Sequence, residues 1–196
     1  MHRTRLALVA PLLLIGLLVG CGSDEADDDG EDRPAATATV SADADGPTVD
    51  AGTVGTDDFS FTPPDGWRDA AGEVPGFAPE VLFVEPTQGP FATNVNVIRS
   101  TGALDLSADE VVSQGFAELE SVGFTGMAEG DPYEVDGETA SVITATAATG
   151  TSVSRQYLVT HAGARYIITF SFGVDVPDDE RVETAESLLA TWRWAD

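Results

Sequence analysis

Alternating aromatic and polar positions at Phe59-Ser60-Phe61 run into Pro63-Pro64-Asp65-Gly66, the pattern of a strand closed by a proline–glycine turn. Short apolar runs at Val81–Val84 and Asn94–Ile98 (Asn-Val-Asn-Val-Ile) are the next strand candidates. The period then changes. Ser107-Ala108-Asp109-Glu110 has the form of a capping box, with serine as N-cap and glutamate three residues later. Val112, Phe116 and Leu119 follow at helical spacing beside Val111 and Val122, and Gly123 is the expected stop. Three further strands are predicted at about 139–147, 152–160 and 165–172, joined by tight turns around Thr149-Gly150 and His161-Ala162-Gly163. A last helix is predicted from about Asp178 to Thr191. Val182, Ala185, Leu189 and Trp192 form its apolar stripe, and Asp178, Asp179 and Glu180 lie at its positive end.

The three late strands do not alternate cleanly. Val142 and Ile143 are adjacent and must point to opposite faces, as must Leu158 and Val159, or Ile167 and Ile168. A sheet with one wet face would alternate, so this sheet should be covered on both sides over much of its area. The predicted class is α+β: an α/β/α sandwich with a central, mostly antiparallel sheet of five to seven strands and a helix on each face. Residues 57–196 carry all fifteen aromatic residues and form one globular domain, long enough to bury about two-thirds of its unfolded surface.

Upstream of that domain the chain changes character twice. Arg3 and Arg5 precede an apolar run from Leu6 to Gly20. Fifteen helical residues reach only about 22 Å, against a hydrocarbon core of about 30 Å, so the run fits a signal segment better than a membrane span. It ends in Leu18-Val19-Gly20-Cys21, which has the form of a lipobox. The expectation is a lipoprotein signal peptide over 1–20, cleavage before Cys21, and a diacylglyceryl group on its thiol. The protein would then sit on the extracytoplasmic face of the cell membrane, held by acyl chains of which one anchors marginally and two stably. The alternative is a chance cysteine after an ordinary cleavage site. Cys21 is the only cysteine, so once lipidated the chain has no thiol chemistry and no disulfide.

Residues 22–56 hold ten acids, one arginine and no aromatic residue. Such a segment buries too little apolar surface to offset its ordering entropy, so 21–56 reads as a lipidated cysteine followed by a disordered acidic tether. As a flexible coil it would span roughly 30–35 Å. Glu25, Asp27 and Asp29 before Gly30 resemble the start of an EF-hand loop, but Ala36 stands where the closing glutamate belongs, and no calcium site is predicted.

The whole chain carries a formal charge of −25, with 34 acids, nine arginines and no lysine. Loss of 1–20 would remove two arginines and make it −27. Nucleic acid is excluded as a partner, since phosphate backbones bind through arginine and lysine. Anionic headgroups are poor docking sites for the same reason. Cationic proteins and divalent cations remain, beside the plainer reading that the carboxylates serve solubility or salt tolerance.

Motifs for chemistry are scarce. His161, the only histidine of the mature chain, lies in a predicted hairpin tip, and no Gly-x-Ser-x-Gly elbow supplies a serine for it. One histidine and no free thiol make zinc or copper a poor fit, and neither a P-loop nor a dinucleotide fingerprint occurs. No cofactor and no metal are predicted. A glycosidase-type pair needs two acids about 5–10 Å apart in a cleft, and no pair stands out among 24 domain acids. Three features bear on binding. Arg155 shares a predicted strand face with Val153, Tyr157 and Val159, where it could take an anionic group or pair internally. Trp67, Trp192 and Trp194 could line a ligand groove, or Trp67 and Trp192 sit in the core with Trp194 partly exposed. Phe77, Phe83 and Phe91 lie in a loop-rich stretch, 69–93, that could gate a lipid-sized pocket or simply anchor itself.

The lipobox, the acidic tether, Phe59-Ser60-Phe61 with Pro64-Asp65-Gly66-Trp67, and Asn94-Val95-Asn96-Val97-Ile98 carry a resemblance. So do Arg155-Gln156-Tyr157-Leu158-Val159, Arg165-Tyr166-Ile167-Ile168-Thr169 and Leu188-Leu189-Ala190-Thr191-Trp192. The chain resembles the LpqN-type lipoproteins of actinobacteria and, more distantly, DcrB-like and PsbP-like proteins, over most of residues 57–196. The resemblance implies the same sandwich, no catalytic residues, and a binding or accessory role toward an envelope protein or lipid. The functional expectation is therefore a membrane-anchored, non-catalytic envelope lipoprotein. The alternative is a hydrolase acting on envelope polysaccharide or lipid.

Overall fold

The computed structural model describes residues 52–86, 91–102 and 104–195. The expectations for the signal peptide, Cys21 and the tether up to residue 51 fall outside these residues. Among them, no helix is long and apolar enough to cross a membrane.

Ten strands and two helices follow in the order β1 (Val54–Gly55), β2 (Phe59–Phe61), β3 (Arg68–Asp69), β4 (Val81–Val84), β5 (Asn94–Ser100), α1 (Ala108–Ser121), β6 (Phe124–Val135), β7 (Glu138–Ala147), β8 (Ser152–His161), β9 (Ala164–Gly173), α2 (Asp178–Leu189) and β10 (Arg193–Trp194). Seven strands form the main sheet in the order β3-β4-β5-β9-β8-β7-β6, and every pairing is antiparallel. The mostly antiparallel sheet expected from the meander is thus present. A second, small sheet joins β1, β2 and β10. Its first strand pairs the chain from Val54, upstream of the boundary at residue 57 drawn from composition.

Helix α1 carries the chain from β5, in the middle of the sheet, to β6 at its edge. Its N-terminus is the expected capping box: the Ser107 hydroxyl accepts from the Glu110 N–H at 3.4 Å, and Glu110 Oε2 accepts from the Ser107 N–H at 2.8 Å. The Ser107 hydroxyl and backbone N–H hold the Glu110 carboxyl below the usual glutamate range. A lowered folded-state value stabilises the fold above the ordinary glutamate pKa, and that stability is lost as pH falls through the lowered value. Urea midpoints measured from about pH 6 to 3 should therefore fall less steeply in Glu110→Gln than in the parent protein. An unchanged slope would mean the box is frayed in solution.

Four strands were not anticipated, the two-residue β1, β3 and β10 and the long β6. Twelve residues of β6 follow α1 directly, mostly exposed along their length because β6 is an edge. Its pairing with β7 shifts register between Thr125 and Ala128 and again between Gly130 and Tyr133. Bulges, proline and acids (Pro132, Glu129, Asp131) are the usual devices that keep an edge from pairing with another chain. They also erase the alternation by which a strand is recognised.

Adjacent residues divide between separate apolar clusters. Val142, Tyr157, Ile168 and Phe170 pack with Phe59, Phe61 and Trp192 and with Leu188 and Leu189 of α2. Ile143, Ala145 and Leu158 pack instead with Val111, Val112 and Leu119 of α1. A third, smaller cluster sets Leu82 and Val84 against Ala70 and Val74. Between the second and third clusters the cover is polar. Gln156, Thr169 and Asn96 align across β8, β9 and β5, with Ser154, Ser171 and Asn94 in the neighbouring row. Gln156 Nε2 donates to Thr169 Oγ1 at 3.3 Å, while Asn96 Oδ1 and Ser154 Oγ are buried without a partner among the described residues.

Candidate functional site

Arg155 is committed within the fold. Its Nε donates to the Tyr157 phenol oxygen at 2.8 Å, its guanidinium carbon sits 5.4 Å from that ring centroid, and Nη2 lies 3.8 Å from Glu186 Oε1. Burial pushes the Tyr157 phenol up, and the Arg155 hydrogen bond pulls it back. This is the internal pairing weighed against anion binding.

Trp194 is half-buried and belongs to a clasp. Its indole N–H donates to the Val135 carbonyl at 3.0 Å and its backbone N–H to Asp136 Oδ2 at 2.9 Å. The ring stacks on His161 at 4.5 Å and 11°, and His161 Nδ1 lies 3.0 Å from Glu138 Oε1. His161 is therefore fixed between the β6–β7 turn and β10, which its position in a hairpin tip did not reveal. Among the described residues its partners include no serine hydroxyl. Nearby, Arg99 bridges the Tyr166 phenol and Asp58, and both contacts hold its guanidinium charged.

The three phenylalanines do not form one gate. Phe83 is a correction: it lies in β4, buried, with its ring edge-on to Phe61 at 5.8 Å, because odd residues of β4 face the large core. Phe77 packs against the third cluster. Phe91 alone borders an opening.

That opening is a cleft of about 360 Å³ at one end of the sheet. Trp67 and Phe172, both core residues, form its floor, with Phe91 at the side. Glu85 follows β4, Thr93 precedes β5, Asp175 follows β9, and Glu180 and Thr184 come from the first turns of α2. The three carboxylates are exposed at the rim, and no basic residue lines the cleft among the described residues. Trp67, expected in the core, is buried there and also lines the cleft. Glu85, Asp175 and Glu180 carried no signal in the sequence, since they are three acids among many that converge only in the fold. Among the described residues no group of histidine, cysteine and acids is arranged to hold a metal ion.

No protein-family model and no curated protein matches the chain. Solved structures do. Cyanobacterial PsbP from Synechocystis sp. PCC 6803 superposes with a TM-score of 0.51 at 17% identity, over 70% of this chain and 87% of that one. The Ran-binding protein Mog1p of Saccharomyces cerevisiae gives 0.49 at 11% identity, over 70% and 90%. LpqN of Mycobacterium tuberculosis, described as involved in cell envelope biogenesis, gives 0.47 at 16% identity, over 70% and 83%. The likeness to cyanobacterial PsbP is one of fold, and it shows the class to which this domain belongs: a mostly antiparallel sheet with two helices.

Proposed function

We propose that the protein is a lipoprotein anchored through Cys21 to the extracytoplasmic face of the cell membrane. An acidic tether presents its 57–196 domain, an α/β/α sandwich with α1 on one face and α2 on the other, as a non-catalytic binding module for an envelope protein. The observation that carries this reading is the cleft. At about 360 Å³ it is at the small end of ligand sites and open at an acidic rim, which disfavours an anionic lipid and suits a protruding side chain of a protein. The anchor rests on the lipobox at Leu18–Cys21. Arg155, the residue best suited to an anionic headgroup, is engaged by Tyr157 and Glu186.

The hydrolase reading draws on the same three carboxylates. All are exposed, so the burial that keeps a general acid protonated is not on hand, and the non-catalytic reading is preferred. Native mass spectrometry of the lipidated protein, gently extracted from its own membrane, is the test. The expected result is a co-purifying envelope protein and a domain free of lipid beyond the anchor. A second bound lipid, or turnover of envelope polysaccharide or lipid that Glu180→Gln abolishes, would overturn it.

A further inference from the structure

We infer that the cleft lined by Trp67, Glu85, Phe91, Thr93, Asp175 and Glu180 recognises an organic cation, a guanidinium or alkylammonium group on an apolar stem. This rests on the binding-module reading and names the chemistry its partner must present. Three independent observations meet there.

The first is the floor. Trp67 and Phe172 line the cleft as core residues, and the half-buried Phe91 lies beside them; a cation is attracted by the quadrupole of an aromatic face. The second is an unused hydroxyl. Thr93 lines the cleft at only 8% exposure, and its side chain makes no hydrogen bond among the described residues. Free of any partner there, the hydroxyl is available to accept from a bound N–H. The third is the charge balance. Glu85, Asp175 and Glu180 have no ion-pair partner among the described residues, whereas every cation of the domain is engaged elsewhere. Arg68 pairs with Glu73, Arg99 with Asp58, Arg155 with Glu186, Arg181 with Asp178 and Arg193 with Asp136; His161 pairs with Glu138, and Arg165 is engaged too. Among the described residues no positive charge is left for this site, so its carboxylates are open to a cation from outside.

The backbone leaves room for one of these carboxylates. A Cβ on Gly173 would lie 2.5 Å from Asp175 Oδ1 and 3.9 Å from the Phe91 Cβ, so glycine is what lets the carboxylate sit against this wall. Tetrahedral ammonium and planar guanidinium both satisfy the donors the site calls for. A neutral isostere supplies the shape without the charge.

The experiment titrates the mature chain (residues 21–196, fully acylated in detergent) with arginine amide and with citrulline amide. Binding is followed by the Trp67 indole and the Thr93 and Phe172 amide resonances. Exposed carboxylates contribute about 1.4- to 5-fold each in affinity. Three of them together should make arginine amide bind about 3- to 125-fold more tightly than citrulline amide, with shifts confined to the cleft. The triple variant E85Q/D175N/E180Q should lose that preference. D109N/E118Q/E120Q, which neutralises as many acids on α1, should keep it. T93V should weaken arginine amide while leaving the thermal midpoint close to that of the parent protein. A second arm compares arginine amide with the peptide Gly-Gly-Ala-Arg-Ala-Gly-Gly: tighter peptide binding assigns the cation to a protein side chain, equal binding to a small molecule. Equal binding of citrulline amide, or shifts that follow acids across the whole surface, would overturn the inference. The co-purification test shares no readout with this one, so either reading can fail while the other stands.

Discussion

Replacing Trp192 with alanine is expected to cost about 3–5 kcal/mol and to lower the thermal midpoint by about 10–20 °C. Trp192 is fully buried and stacks on two other rings, Phe59 at 4.3 Å and 17° and Phe61 at 5.4 Å and 6°. It thereby joins the end of α2 to β2 and sets the small sheet against the large one. Truncation removes the dispersion contacts of one of the largest core side chains and exposes two phenylalanine faces to a void. The indole N–H works against this figure, since Trp192 Nε1 is buried with no partner among the described residues and its removal relieves that penalty. Trp192→Phe should accordingly cost less than half as much as Trp192→Ala. Urea denaturation followed by far-UV circular dichroism measures both. A loss below about 1 kcal/mol in the alanine variant would mean the stack is not what couples the two sheets.

Ile143→Ala is expected to cost about 2–4 kcal/mol, with part of that loss recoverable by a second substitution. Ile143 is fully buried under α1, where Gly115 faces it; a Cβ on Gly115 would come within 2.7 Å of Ile143 Cδ1. A mid-helix glycine costs about 1 kcal/mol relative to alanine, so α1 forgoes helix propensity to approach the sheet closely. Gly115→Ala alone sets that gain against a clash with the flexible tip of one side chain, and the two should nearly cancel. In the Ile143→Ala background the clash is gone and the added methyl fills vacated space. Gly115→Ala should then stabilise by about 1 kcal/mol or more, a coupling within the range found for residues in contact. Strictly additive effects would show that α1 does not rest on Ile143.

Much of this architecture was legible because burial and periodicity coincide. Ser107 and Glu110 mark α1 by a local hydrogen-bonding rule that needs no tertiary information. Val142 with Ile143, and Leu158 with Val159, announce a sheet covered twice, and the structure divides Val142 and Ile143 between two clusters. What escaped lies where that coincidence fails. The edge strand β6 carries acids and glycines in place of an apolar face, and the signal that could have found it was its turn. Asp136-Gly137, with φ of 46° and 87°, is the dipeptide that two-residue hairpins favour. The row Gln156, Thr169, Asn96 reads as surface because its residue types are polar, yet the fold buries it. The cleft was illegible for a different reason. Glu85, Thr93, Asp175 and Glu180 are spread over 96 positions, and only the antiparallel pairing of β4, β5 and β9 gathers them. Phe83 was assigned to a loop by its neighbours in sequence, although Val81–Val84 had already been read as a strand that would bury it.

The small sheet also fixes how the domain bears load. In register, Val54 faces Phe61 on one side of β2, and Arg193 and Trp194 face Ser60 and Phe59 on the other. Tension entering the chain from residue 52 reaches β1 first and peels two residues, one pairing after another, at low force. It then meets β2, held along its far edge by β10 and pinned from below by Trp192. The rings add the Trp192 stack to the hydrogen bonds that a pull on β2 has to break.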